Sequence, residues 1–350
     1  MKVLSYSSFR LGQMAKNNDD RMTIYDVAQE AGVSITTVSR FLNNPGDVKD
    51  TTSSRIAKAM EKLDYIPQGN AGTRARRSVG RIGVLTPFFP APSFATRLSG
   101  TIPPLREQNF EVIVYTIETP EQLDEYLTSV PFTRRIDGLI LMSVHLTADQ
   151  HRILKASELN VVMIESDDEN FSRVLADDYR GGQMAAELFL EKNYLPCGFF
   201  GDKIKDIPYS CHPSEVRLRG YRETLSQKGY ELEDQFILES ETRVEDAQKI
   251  FSAFLDTGKC PRAVFAMSDL HAIGIIKAAR EHGIKVPEEL AILGFDDIDA
   301  ADWMELSTIS QHLADSGRIA AGLLLERLSG KAETIQKVNL QVSLIERSTT

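Results

Sequence analysis

Apolar positions along this chain follow two rhythms. Between residues 22 and 67 they recur every three or four residues: Ile24, Val27, Ala28 and Ala31, then Val38 and Leu42, then Ile56, Ala59, Met60 and Leu63. That spacing predicts three short amphipathic helices. From Arg81 onward solid apolar runs take over: "RIGVLT", "FEVIVYT", "DGLILMS", "NVVMIES", "CGFFGD", "AVFAM" and "LAILGFD". Between several of them lie amphipathic stretches such as "YRGGQMAAELFLEKN" and "SDLHAIGIIKAAREHG". Strand and helix in alternation predict an α/β protein with doubly wound parallel sheets. The stretch from 81 to 350 is too long for one typical domain of ~100–150 residues, so two lobes are predicted. Their expected bounds are 81–194 with 310–338 for one lobe and 195–309 with 339–350 for the other. Ligands of such folds sit at the carboxyl ends of the strands, in the crevice between lobes.

The first two helices carry clear punctuation. Thr23 is placed to cap the first, with Asp26 three residues on as a variant capping box. Gly32 can take the positive φ that ends a helix in a tight turn. Val33 then plugs the angle, and Ser34 caps the second helix, whose inner face is Val38 and Leu42. Its outer residues, Ile35, Thr36, Thr37, Ser39 and Arg40, are small or polar, unlike the Glu and Lys of an ordinary solvated face. Two helices around a tight turn make a helix-turn-helix with the second as reader. Small side chains allow close approach to a groove, Thr hydroxyls and Ile35 suit base edges and thymine methyls, and Arg40 suits guanine. Spacing alone fits a small helical bundle without a ligand equally well.

Charge sharpens the picture. The net charge is −10, yet residues 1–81 hold 13 Lys and Arg against 8 Asp and Glu, while the rest hold 27 against 42. The basic end is the end with the three helices, as a nucleic-acid-binding segment requires.

The full string decides between the two readings. "TIYDVAQEAGVSITTVSRFLN", followed by "RI" and "LDYIP", resembles the headpiece of the lac-repressor/galactose-repressor family of transcriptional regulators. Asp26, Val27, Ala28, Ala31, Gly32, Val33, Ser34, Thr37, Val38, Ser39, Arg40, Leu42 and Asn43 all match that family's pattern. The resemblance implies base contacts from Ile35, Thr36 and Arg40. It implies capping or phosphate contacts, which position without specifying, from Thr23, Ser34, Thr37, Ser39 and Asn43. The expected division is an N-terminal extension over 1–21, a headpiece over 22–67, a hinge linker over 68–80 and an effector and dimerisation domain over 81–350. The extension is expected to be disordered, with Met22 an alternative start.

The linker "QGNAGTRARRSVGR" departs from the family. Where the family has a hinge helix with a minor-groove leucine wedge, this chain has Gly72 and Arg74. Gly69 and Gly72 each disfavour helix by about 1 kcal/mol relative to alanine. Arg74, Arg76 and Arg77 suit electrostatic contact with phosphates or a narrow minor groove, or else form a basic tether.

The resemblance continues through "DDYRGGQMAAELFL", "VRLRGYRETL", "SDLHAIGIIKAAREHGIKVPEELAILGFDDI" and "LSTISQ", landmarks of a periplasmic-binding-protein-like effector domain. It implies effector binding by Arg217 and Asp296, a guanidinium and a carboxylate suited to vicinal hydroxyls. Asp178, Ser268, Gln311 and Phe94 are further candidates, and Trp303 is a candidate platform for a sugar ring. Asp269 is expected to cap the helix after it. Pro103 and Pro104 in "RLSGTIPPLREQNF" are expected to break or kink the first effector-domain helix.

Other classes find less support. There is no GxSxG, P-loop or GxGxxG motif and no recognisable Ser-His-Asp spacing, so an enzyme is not expected. Cys197, Cys211 and Cys260 form no CxxC pair and the six histidines no HExxH, so neither cofactor nor metal is expected. No apolar run approaches the ~18 residues of a membrane span, and the start has no signal-peptide pattern. A solute-binding protein would leave the helix-turn-helix unexplained. The expectation is a cytoplasmic homodimeric repressor that binds a pseudo-palindromic double-stranded operator under control of a small molecule. A sugar or sugar derivative is favoured, with a nucleobase or nucleoside as the alternative.

Overall fold

The computed structural model describes residues 24–43, 48–63, 79–131, 135–203 and 209–350. The chain divides into two compact units between Ser78 and Val79.

The first unit holds α1 (Ile24–Ala31), α2 (Ile35–Asn43) and α3 (Asp50–Lys62). Val27, Ala28, Ala31, Val38, Ile56 and Ala59 form its buried core, with Val33, Phe41, Met60 and Leu63 packed against it. Helical spacing on each segment therefore produces one common apolar centre. The side chains of Ile24 and Leu42 lie outside the described set.

The second unit contains two six-stranded sheets. One has the order β11-β5-β4-β3-β1-β2, built from β1 (Gly80–Thr86), β2 (Phe110–Thr116), β3 (Gly138–Met142), β4 (Asn160–Ile164), β5 (Ser172–Ala176) and β11 (Lys337–Leu340). All its pairings are parallel. The other has the order β12-β10-β9-β8-β6-β7, from β6 (Cys197–Asp202), β7 (Ile237–Ser240), β8 (Ala263–Ala266), β9 (Ala291–Asp296), β10 (Thr308–Ser310) and β12 (Ser343–Ile345). Here β12 runs antiparallel to β10. Central strands are buried on both faces, which is why they read as solid apolar runs.

The chain crosses between lobes three times, near residues 177, 311 and 341. The first crossing is earlier than the 194 expected from sequence. Helix α7 (Asp178–Glu191) buries Ala185, Ala186 and Phe189 in the core shared by Phe199, Phe265 and Phe295 of the second sheet. Its amphipathic pattern shows that it has an apolar face and leaves open which sheet receives it.

Helix α4 (Pro92–Glu107) also differs from expectation, because it runs unbroken through Pro103 and Pro104. The two prolines leave the carbonyls of Ser99 and Gly100 without their helical donors. Ser99 is exposed, so water can serve its carbonyl. On the other side α4 packs tightly on α12 (Leu313–Leu328): a Cβ at Gly100 would lie 1.8 Å from the Ala314 carbonyl oxygen. Burial of Phe94, Arg97, Thr101 and Leu105 along one stripe holds the helix together where its own ladder is interrupted.

Candidate functional site

The turn of the first unit is a Schellman motif. Gly32, at φ +60°, donates its N–H to Gln29 O at 3.2 Å, and Val33 N–H reaches Ala28 O at 3.0 Å. Arg55, from α3, adds a second closure by donating Nη2 to Ala31 O at 2.5 Å and to Gly32 O at 3.0 Å. Ser34 caps α2, with its Oγ accepting from Thr37 N–H at 3.2 Å and lying 2.8 Å from Thr37 Oγ1. Val38 is fully buried, so the helix turns Ile35, Thr36 and Arg40 outward. Ile35 is 40% exposed, an apolar side chain held in solvent next to polar ones. Thr37 and Ser39 are half-buried. Thr23, Arg74 and Arg76 lie outside the described residues, and so does the side chain of Asn43, whose backbone closes α2.

In the second unit two buried arginines meet three acids where the strands end. Arg217, on α8 (Pro213–Gln227), donates Nε to Asp178 Oδ1 at 2.8 Å and Nη1 to Met267 O at 2.5 Å. Its guanidinium carbon sits 3.5 Å from the Phe295 ring centroid. Arg97, on α4, is bonded through Nη2 to Glu165 and, at 2.7 Å, to Gln311 Oε1. Gln311 then donates Nε2 to Asp296 Oδ1 at 2.5 Å. Arg97, Gln311 and Asp296 thus form one chain from the first lobe, through a crossing strand, to the second. A backbone bridge between Val144 and Ser210 also joins the lobes, and Tyr209 beside it is buried in the first lobe's core. Next to that bridge opens a cavity of about 760 Å³, lined in part by His145, His151, Ser166, Cys211 and His212.

The electrostatics follow from burial. Loss of water pushes the Asp296 carboxyl up to about 7, against the pull of Arg217 and Arg97. Burial likewise raises Asp178 and Asp202 and pulls His271 down to about 4. Asp296 has φ +124° and Asp297 +59°, left-handed backbone that places the first carboxylate off the end of β9.

Of the residues singled out from sequence, Arg217 and Asp178 form one pair and Asp296 and Gln311 another. Phe94 lies under Arg97, whose guanidinium carbon is 5.4 Å from its ring centroid. Two roles need correction. Ser268, not Asp269, caps α10 (Asp269–Glu281), and its hydroxyl is spent on His271 N–H and Nδ1. Asp269 braces strand ends instead, accepting from Ile298 N–H and Thr308 Oγ1. Trp303, at the end of α11 (Asp299–Trp303), is 79% exposed and takes no part in the described contacts of the cleft. Its side chain points to solvent because its neighbour Met304 takes the place against the core. Arg97, Glu165, Asp202 and His271 were missed. The available signal was Arg97, a cation on the buried stripe Phe94–Arg97–Thr101–Leu105. Among the described residues no group of three His, Cys, Asp or Glu side chains is placed to hold a metal ion, and no helix is long and apolar enough to cross a membrane.

Comparison with known proteins joins these two halves. Residues 23–68 match the family described as bacterial regulatory proteins, lacI family, and residues 186–350 match a periplasmic binding protein-like domain. The chain belongs to the LacI family. As a LacI-family protein it is a DNA-binding transcriptional regulator with a ligand-binding domain, and it is not an enzyme. It is 28% identical over 339 residues to the transcriptional regulator DegA of Bacillus subtilis, covering 94% of this chain and 98% of DegA. It is also 28% identical over 334 residues to a ribose operon repressor of Halalkalibacterium halodurans, covering 94% and 97% of the two chains. A LacI-family regulator from Enterococcus faecium with bound ribose superposes with a TM-score of 0.68 at 25% identity, covering 77% of this chain and 98% of that one.

Proposed function

We propose that this LacI-family chain is a dimeric transcriptional repressor whose operator affinity is set by a sugar or sugar derivative bound between its two lobes. The observation that carries this reading is the meeting of Arg217–Asp178 and Gln311–Asp296 where strands end at a lobe crossing. Arg217 leaves Nη2 without a described partner, and Asp178 and Asp296 each have one oxygen so. A vicinal diol gives and takes hydrogen bonds at the same carbon pair, so it suits this arrangement of donors beside acceptors. Ribose in the Enterococcus faecium relative supports the same class.

Ile35, Thr36 and Arg40 read base edges, while Ser34, Thr37, Ser39, Thr23 and Asn43 position the helix on phosphates. Arg74 and Arg76 add electrostatic contacts from the linker. Two headpieces of a homodimer read the two halves of a pseudo-palindromic operator. Ligand acts by preferring one arrangement of the lobes, held in part by the Arg97–Gln311–Asp296 chain.

Gel shift on DNA upstream of its own gene, with and without sugars that raise Tm, tests the proposal. Retardation that one sugar class changes is expected. A response to nucleosides alone would overturn the sugar reading and leave the regulator intact.

A further inference from the structure

Among the described residues the cleft brings the carboxyls of Glu165, Asp178, Asp202 and Asp296 together with two arginines, Arg97 and Arg217. Arg97 is committed to Glu165 and Gln311, and Arg217 to Asp178 and a backbone carbonyl. Two further carboxyls at the strand ends have only neutral described donors: Asp296 holds the Gln311 amide and Asp202 the Thr242 hydroxyl. Asp269 is different, since it is wholly buried and both its oxygens are bonded within the fold.

Sheet register places the two on either side of Ser268. Phe200 of β6 pairs with Ala266 of β8, and Phe265 of β8 with Leu293 of β9. Carried past these last paired residues, the same register sets Asp202, Ser268 and Asp296 level across the three strands. Adjacent strands are about 4.8 Å apart, so the outer two backbones are ~10 Å apart, the width of a sugar ring with its substituents. Ser268 between them is bonded within its own helix. Its Oγ accepts from His271 N–H at 3.3 Å and lies 2.7 Å from His271 Nδ1. His271 Nε2 is fully buried, lies 3.9 Å from Asp202 Oδ1 and makes no hydrogen bond to it. Arg97 Nε is likewise buried without a partner. Arg97 Nε is thus a buried donor unused within the cleft, and among the described residues the cleft's acids outnumber its arginines.

Asp296 is buried and Asp202 half-buried, and a carboxylate drawn out of water without a cation either keeps its proton or acquires a positive partner. An anionic ligand would add to the surplus. We propose that the effector is a polyol carrying a protonated amine, an amino sugar or aminated polyol, with its cation against Asp202 or Asp296 and its hydroxyls among the arginine-held groups. This rests on the cleft being the effector site and names the chemistry within it.

The test is a thermal-shift and calorimetric panel on the full-length protein. Glucosamine, galactosamine and mannosamine are each set against the matched neutral hexose, and glucuronate and galacturonate against glucose and galactose, with adenosine and uridine as a separate arm. The expected result is at least tenfold tighter binding of one amino sugar than of its neutral counterpart, with uronates weakest. Asp202→Asn should cut that preference to below threefold, and Asp202→Glu, which keeps the charge, should retain it. The ligand-free Tm shows that both variants are folded. Equal or tighter binding of neutral hexoses or uronates overturns the amine proposal and leaves the sugar reading standing. Binding in the nucleoside arm alone, or in no arm, overturns both.

Discussion

Arg217 stacks its guanidinium on the ring of Phe295 at 3.5 Å, so a cation from a helix is held flat against the aromatic residue that precedes Asp296. This contact fixes the fork at the end of β9 and aims Nε at Asp178. Both residues are fully buried or nearly so, and the stack keeps the guanidinium in one orientation at low local dielectric.

Arg217→Ala removes the partner of the half-buried Asp178 carboxyl, and the loss stays below the about 3–5 kcal/mol of breaking a fully buried pair. Urea unfolding should show such a loss, together with loss of any effector-induced change in operator binding. Arg217→Lys should recover part of the stability and little of the response, since an ammonium cannot keep both fork contacts and the stack.

Asp296 gives the stability a pH dependence with a defined sign. Its folded pKa, about 7, lies above the usual carboxylate value of 3.8. The folded state therefore binds more protons than the unfolded chain between those values, and stability falls as pH rises through 7. Buried His271, at about 4, acts in the opposite direction but only below 6.5. Between about pH 5 and 7 chemical denaturation should show wild type losing stability relative to Asp296→Asn, with the difference levelling off above pH 7. The slope difference should approach but not exceed ~1.4 kcal/mol per pH unit, that of a single proton.

Arg55→Ala should weaken operator binding without touching the reader helix. The change leaves the carbonyls of Ala31 and Gly32 without their charged donor, a loss of about 0.5–1.5 kcal/mol to the turn. Gel shift should show reduced affinity for all operators alike, because the turn sets the angle between the helices rather than any base contact.

Arg40→Ala should change which sequences bind. A bidentate pair with guanine contributes about 1–3 kcal/mol of discrimination, so affinity should fall and specificity relax at one position per half-site. Binding-site selection from a random library measures this. Uniform weakening with unchanged preference would assign Arg40 to the backbone.

The headpiece was legible because its signals are local. Gly32 and Ser34 act within a few residues of themselves, and the apolar spacing of α1 and α3 fixes which faces meet. Phe41 was not anticipated, since a half-buried residue at the edge of a helical face carries no spacing signal of its own. In the cleft, Arg217 and Asp296 stood out through the strings around them, while the tertiary structure alone showed which side chain each one meets.

Strand runs, helical faces, the basic end and the two-lobed class were legible along the chain, because neighbouring residues carry those signals. That α7 packs on the second sheet, that α4 survives two prolines and that Trp303 faces solvent came from the packing of distant segments. The same is true of Arg97, which finds Glu165 across 68 residues and Gln311 across 214. Pairings at such separation depend on where three chain crossings bring the strand ends, and no spacing within one segment encodes that.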